Sequence, residues 1–246
     1  MAQEVFNRYE LKYLVDYNTY AALLEALKPY VSTDINGDKD GYYTISSIYY
    51  DTHDNLFHQE KMLKESFRQK LRLRTYNKIG LNDDAFLEIK KKHKRVVNKR
   101  RTVIKLKDAY DFLDSKEDIS HTSSFQVSNQ QILKEIAFLK NFYQLKPTMV
   151  LCYERQAFQA IDDSDIRITF DKNLRRRQYN FRLENGSDGE IFLDPDLFVL
   201  EVKLNGRVPL WLSRILNEFT CRMQGFSKYS NSHIVTDIIV AEKNII

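Results

Sequence analysis

The 246-residue sequence has little of what usually marks an enzyme at sight. Its two cysteines, Cys152 and Cys221, are far apart and form no Cys-x-x-Cys pair, which excludes a disulfide scaffold or a cysteine zinc site and fits a reducing compartment. Seven glycines are scattered, and no Gly-Lys-Ser/Thr occurs, so there is no phosphate-cradling P-loop. The five histidines, His53, His58, His93, His121 and His233, lack the spacing of a metal-binding helix. No Pro-, Gly- or Ser-rich linker and no fixed-period repeat divides the chain, and a single domain is expected. Met1–Tyr9 carries no apolar leader and no run reaches 18 apolar residues, so the expectation is a soluble, cytoplasmic protein without a transmembrane segment.

What is present is core-forming material and evenly matched charge. Hydrophobic residues make up 43% and aromatics 13%, enough for a packed interior. Thirty-eight Lys and Arg against 34 Asp and Glu leave a net charge of only +4, so total charge identifies no partner and the placement of the bases must.

Period-two or β-rich segments are expected at Val5–Val15, Tyr42–Tyr50, Ser66–Tyr76, Ala85–Lys92, Val96–Lys107, Met149–Ala157, Asp165–Asp171 and Phe198–Leu204. Asp16 can cap a helix presenting Leu23, Leu24, Leu27 and Tyr30, and further helices are expected at Asp108–Ser115, Gln130–Tyr143, Pro209–Thr220 and Ser232–Lys243. Ser115–Gln131 reads as a long loop. Many strands, few separated by regular helices, predict an α+β fold with an antiparallel barrel or strongly curved sheet and helices outside.

The strands share one peculiarity. In Lys70-Leu71-Arg72-Leu73-Arg74 the three bases lie on one face and the leucines on the other. Glu88-Ile89-Lys90, Glu201-Val202-Lys203 and Ile166-Arg167-Ile168 repeat the pattern. Any one such strand reads more simply as an ordinary half-buried strand with charge in water. Several together carry a cost, because like charges directly opposed on a sheet destabilise by roughly 0.2–1 kcal/mol per pair. A bound polyanion would explain them, with Arg as a planar fork and Lys as a point charge. Phosphoryl transfer needs little beyond such positioning and charge neutralisation, so the missing nucleophile is no obstacle.

The segments Arg8-Tyr9-Glu10-Leu11-Lys12-Tyr13, Ile48-Tyr49-Tyr50-Asp51-Thr52, Leu71–Arg74, Leu87–Lys90, Tyr153-Glu154-Arg155, Ile166–Asp171, Leu200–Lys203 and Phe226-Ser227-Lys228-Tyr229, in this order, resemble the vacuolar transporter chaperone catalytic domain, within the triphosphate tunnel metalloenzymes. The resemblance implies a closed antiparallel eight-stranded β-barrel tunnel with flanking helices. It also implies an ATP-dependent polyphosphate polymerase using Mn²⁺ or Mg²⁺, with ATP and inorganic polyphosphate as partners. Carried over by position, Lys12, Arg72, Arg74, Lys90, Lys99, Arg155, Arg167 and Lys228 contact phosphates, joined by Lys203, Ser227 and Tyr229. Arg72, Arg74, Lys90, Arg155, Arg167 and Glu201 form the catalytic set. Glu201 holds the metal, with Glu88 and Glu10 as further candidate ligands. Lys99 competes for its place with Arg100 and Arg101, since a slip of one residue changes the face. Two positions depart from the pattern: Arg8 replaces the first acid of Glu-x-Glu-x-Lys, which disfavours a two-metal hydrolytic site, and Gly225 stands where the eukaryotic polymerase has a tunnel lysine. The alternatives are tripolyphosphate or nucleoside triphosphate hydrolysis and a non-catalytic polyphosphate sensor. Nucleic acid is not expected, and the lack of a spanning segment leaves room for a membrane-protein partner.

Overall fold

The computed structural model describes residues 5–7, 9–34, 37–94, 96–115 and 119–234. In chain order the strands are β1 Val5–Asn7, β2 Tyr9–Asp16, β3 Val31–Thr33, β4 Tyr42–Asp51, β5 Phe67–Tyr76, β6 Asp84–His93, β7 Val96–Lys105, β8 Lys146–Ala160, β9 Arg167–Arg177, β10 Glu190–Ile191 and β11 Leu197–Leu204. The helices are α1 Tyr17–Leu27, α2 Leu56–Met62, α3 Leu106–Asp114, α4 Gln130–Tyr143, α5 Leu210–Glu218 and α6 Lys228–Asn231. Eight strands are eight to fifteen residues long, and the antiparallel α+β expectation holds. The chain divides into two compact units, Met1–Asn7 with Ile45–Leu151 and Arg177–Asp188, and Arg8–Thr44 with Cys152–Arg176 and Gly189–Ile246.

In the first unit the antiparallel order is β1-β7-β6-β5-β4. Alternation sorts its residues by face: Leu71, Leu73, Leu87, Ile89 and Ile104 are fully buried on one side. That side is covered by helices, because α4 buries Ile132, Leu133, Ile136 and Ala137 and α3 buries Leu106, Ala109 and Phe112. Arg100 and Lys91 share this helix-covered side, and both reach Glu135 of α4 at 2.6 Å. Arg100 is thereby removed from the competition with Lys99, which lies on the opposite face.

In the second unit the order is β8-β9-β11-β2, with β10 beside β9 and β3 beside β8. Tyr13, Val15, Ile168, Phe170, Leu200 and Val202 face a core closed by α1 and α5. Tyr20 of α1 stacks on Phe198 at 4.0 Å and meets Phe170 edge-on at 5.1 Å. Asp16 caps α1 as expected, accepting from the Thr19 amide. Tyr30, expected on the face of α1, lies beyond its end and stacks on Trp211 of α5 at 4.6 Å.

Several expected boundaries move for physical reasons. The strand expected through Lys107 stops at Lys105, where α3 begins, so that Asp108 falls in its first turn, where a carboxylate complements the helix dipole. The strand expected from Asp165 starts at Arg167, because the Asp163 carboxylate accepts from the Asp165 amide in a turn, and it continues to Arg177. Helix α2 was not expected: its cap Asn55 has φ 58° and makes no side-chain cap bond. Its leading amides of Phe57 and His58 are met instead by the Asp51 carboxylate at the end of β4, a cap with no local signature. The long loop Ser115–Gln131 contains a 3₁₀ turn, Ile119–Ser124, and residues 116–118 lie outside the described residues. Of the helix expected at Ser232–Lys243, residues 235–243 also lie outside them, and the helix seen is the upstream α6, capped by Ser227. No described helix is long and apolar enough to cross a membrane.

A buried lysine ties α3 to α4. Lys140 is 5% exposed and donates to the carbonyls of Phe112 and Ser115 at 2.8 and 2.7 Å, with its ammonium over the Phe112 ring. Lys140→Met keeps the stem but removes this donor from both carbonyls, of which that of Phe112 alone retains the Ser115 hydroxyl. We expect a loss of about 1–3 kcal/mol, the cost of unsatisfied buried acceptors, read as a lower urea midpoint at unchanged m-value.

Candidate functional site

The ionic residues of the second unit converge because the ladders register them together. Glu201 on β11 faces Lys12 on β2 and Thr169 on β9, while Lys203 faces Glu10 and Arg167. Cross-strand partners point to the same side, so β2, β9 and β11 deliver Glu10, Lys12, Arg167, Thr169, Asp171, Glu201 and Lys203 to one surface. Helix α6 brings Lys228, and β8 brings Arg155.

At the centre are two buried carboxylates. Asp171 is fully buried and is gripped by Arg155 through two parallel bonds of 2.6 and 2.7 Å. Lys228 Nζ lies 2.5 Å from Asp171 Oδ2 and 3.0 Å from Glu201 Oε1. Glu201 also meets Lys12 at 2.8 Å, Lys203 at 3.2 Å and, more distantly, Arg155 at 3.8 Å. The Tyr153 ring lies under both Arg155 and Lys228. Four bases meet Asp171 and Glu201 here, and Glu10 stands opposite Lys203, so bases outnumber acids in this cage.

The electrostatics follow from that crowding. Burial by itself would raise the Glu201 carboxyl, but Lys12, Lys228, Lys203 and Arg155 hold it well below the usual carboxylate range. Asp171 is likewise pushed up by burial and held down by Arg155 and Lys228. Burial works against the charge of Lys228, and Asp171 and Glu201 outweigh it, so its pKa is raised. Lys203 is the exception. Burial lowers it, Glu201 only partly compensates and Arg155 adds repulsion, leaving it at about 7.

The first unit carries a cluster of the same kind. Glu88, 1% exposed, receives Arg72 Nε at 2.6 Å and the Lys99 ammonium, with Arg74 Nε at 3.9 Å. Arg72 also donates to the Tyr49 hydroxyl and Arg74 to Ser47 Oγ, both at 3.1 Å. Burial would raise Glu88, yet Arg72, Lys99 and Arg74 hold it well below its ordinary value; burial and the two arginines pull Lys99 down. Lys90 shares this face, opposite Lys70 and Lys99 in register.

The remaining expected residues are placed differently. Arg167 lies on the same face as Lys203 but donates to Asp34 at 2.5 Å and to the Tyr43 hydroxyl at 3.1 Å. Ser227 is spent on capping α6, and Tyr229 is 2% exposed, edge-on to His233. Glu10 is partly buried opposite Lys203. Arg8 lies outside the described residues. Sequence reasoning missed a role for Asp171, although its spacing from Arg167 put it on the ionic face of β9. Tyr153, two residues before Arg155, was open to the same reasoning.

The resemblance assigns a divalent cation to Glu201, with Glu88 and Glu10 as further candidates. Among the described residues no three His, Cys, Asp or Glu side chains gather as a metal cage. Glu201 and Glu88 already face three or more bases each. A resident cation at Glu201 would lie among four like charges, so this donor set does not fit one.

The chain is similar to several known proteins. Vacuolar transporter chaperone complex subunit 4 of Trypanosoma cruzi is 25% identical over 94% of the chain, and that of Schizosaccharomyces pombe is 28% identical over 75%. The chain spans about a third of the length of these relatives, 34% and 30% respectively. Two solved structures share the fold: a candidate adenylate cyclase from Bacillus halodurans, with TM-score 0.55, 16% identity and coverage of 92% of this chain and 96% of that one, and a candidate adenylyl cyclase from Hippeastrum described as having a dominant triphosphatase activity, with TM-score 0.53, 14% identity and coverage of 96% and 99%. The VTC domain profile matches residues 7–236, and the chain belongs to the VTC domain family.

Proposed function

We propose that this chain is an ATP-dependent polyphosphate polymerase that transfers the γ-phosphoryl group of ATP to the end of a polyphosphate chain. The observation that carries the reading is the cage in which Lys12, Arg155, Lys203 and Lys228 outnumber the carboxylates Asp171, Glu201 and, opposite Lys203, Glu10. Bases held this close repel one another, and a phosphate string relieves that repulsion with oxygens that accept from both guanidinium and ammonium. In the reaction a terminal oxygen of the chain attacks the γ-phosphorus, the bond from that phosphorus to the β-bridging oxygen breaks, and ADP leaves with the electron pair. The residues' part is to hold the reacting phosphates and spread the developing charge. The Glu88 cluster, with Arg72, Arg74 and Lys99, is a second phosphate-binding surface of the same chemistry. The family implies a divalent ion, Mn²⁺ or Mg²⁺; because Glu201 is enclosed by bases, such an ion would enter with the nucleotide phosphates. Closure of the ladders into an eight-stranded tunnel, the single-domain organisation and a cytoplasmic setting belong to the same proposal.

Purified protein incubated with ATP and Mn²⁺ should yield ADP and long polyphosphate in equal phosphoryl count. Orthophosphate alone would make the chain a triphosphatase, and binding of polyphosphate without turnover would make it a sensor; either result overturns the polymerase.

Arg72→Ala with Arg74→Ala should lower turnover roughly a hundredfold or more, the scale of losing transition-state charge stabilisation. Stability should fall as well, because buried Glu88 would lose two of the bases that compensate its charge. Unchanged turnover would remove these arginines from the site.

Lys203 gives the site a pH dependence. With its pKa at about 7 in the free protein, it is largely neutral at pH 8. A bound polyanion favours its charged form, so binding at pH 8 takes up a proton, and this contribution to affinity falls as pH rises above 7. Calorimetric titration with tripolyphosphate in buffers of different ionisation enthalpy should show that uptake in the wild type and its loss in Lys203→Met.

A further inference from the structure

The two carboxylates of the second unit's cage are held in different ways. Asp171 is fully buried, and both its oxygens are engaged by the planar fork of Arg155, with Lys228 closing on Oδ2. No ligand oxygen reaches the bases from that side, because the carboxylate already occupies it. Glu201 retains a little exposure, 8% of its side chain. It is met by three separate ammonium groups, Lys12, Lys203 and Lys228, each through one contact of 2.8–3.2 Å. An ammonium on a flexible stem can turn from one oxygen to another, whereas a bidentate guanidinium pair is fixed in plane and direction.

One neighbouring group points the same way. The Thr169 hydroxyl, directly opposite Glu201 in the β9–β11 register, is fully buried and has no hydrogen-bond partner among the described residues. A buried hydroxyl left without a partner costs about 1–3 kcal/mol. A phosphate oxygen brought within hydrogen-bond distance of that hydroxyl would give it one.

We infer that the two carboxylates divide the work: Asp171 is a positioning residue that fixes Arg155 and Lys228 for phosphate, and Glu201 is an exchangeable counter-ion that the incoming phosphate replaces. The inference rests on the reading of this cage as a phosphate site. Before binding, Glu201 keeps Lys12, Lys203 and Lys228 from repelling one another; on binding, the ammonium groups transfer to phosphate oxygens and the carboxylate swings away. Asp171 stays, so Arg155 presents its remaining donors at the same place in both states.

The test is calorimetric titration of the full chain with sodium tripolyphosphate, without divalent metal, beside thermal unfolding with and without the ligand. Glu201→Gln should bind severalfold more tightly than the wild type, and its melting temperature should rise further on adding ligand, because the phosphate no longer competes with an internal anion. Asp171→Asn should weaken binding at least tenfold, and Asp171→Glu should recover most of that loss. A purely structural part for both acids would lower the stability of each variant without moving affinity in opposite directions. The inference is overturned if Glu201→Gln binds more weakly than the wild type, a result readable even if Asp171→Asn does not fold, or if folded Asp171→Asn binds as the wild type does. Failure of the wild type to bind tripolyphosphate would overturn the phosphate-site reading itself.

Discussion

Everything about this site depends on the repulsion among bases that the fold has taken out of water. Arg155, Lys228, Lys203 and Lys12 would each carry a desolvation cost of several kcal/mol if buried without a partner. Two carboxylates, Asp171 and Glu201, offset that cost for four bases. The compensation is incomplete, and the remainder shows in Lys203, which is pulled down to about 7. A site poised in this way holds its shape without a ligand yet gains from an added polyanion.

The same logic governs the Glu88 cluster with different side chains. There one acid serves Arg72, Arg74 and Lys99, and the arginines take additional support from the Tyr49 and Ser47 hydroxyls. Neutral hydroxyls hold a guanidinium in direction without cancelling its charge. Both clusters therefore put positional restraint on the bases while leaving part of their charge unbalanced, the condition for electrostatic preorganisation toward a phosphoryl group. The apolar backs of the strands make this possible. Leu71, Leu73, Leu87 and Ile89 in one unit, and Ile168, Leu200 and Val202 in the other, anchor the sheets so that the ionic faces need not contribute to the core.

These two carboxylate-centred clusters also bear on the metal chemistry of the family. A carboxylate ringed by ammonium groups is a poor place for a resident cation. It is a good place for an anion, and the exchange of Glu201 for phosphate follows from that preference. On the proposed reading the bases recognise the phosphate, and a divalent ion would come to the site with the substrate's phosphates.

Alternation within Lys70–Arg74, Glu88–Lys90 and Glu201–Lys203 was enough to assign apolar and ionic faces, and those faces are the ones observed, because side-chain direction along a strand is a local property. The Asp16 cap and the full span of α4 were legible for the same reason: a capping carboxylate and a 3.6-residue apolar stripe act within a few residues of themselves. Local pattern could not say which bases share an acid. The choice of Lys99 over Arg100 came from the β6–β7 register and from Glu135 on α4. The pairing of Asp171 with Arg155 and Lys228, and the diversion of Arg167 to Asp34, join residues from 16 to 133 positions apart. Helix α2, capped by a carboxylate from the preceding strand, was hidden likewise. The sequence by itself determined the strand faces and the family; the tertiary structure decided the ion pairs, because Coulomb energy in a buried site depends on distances that only the assembled ladders set.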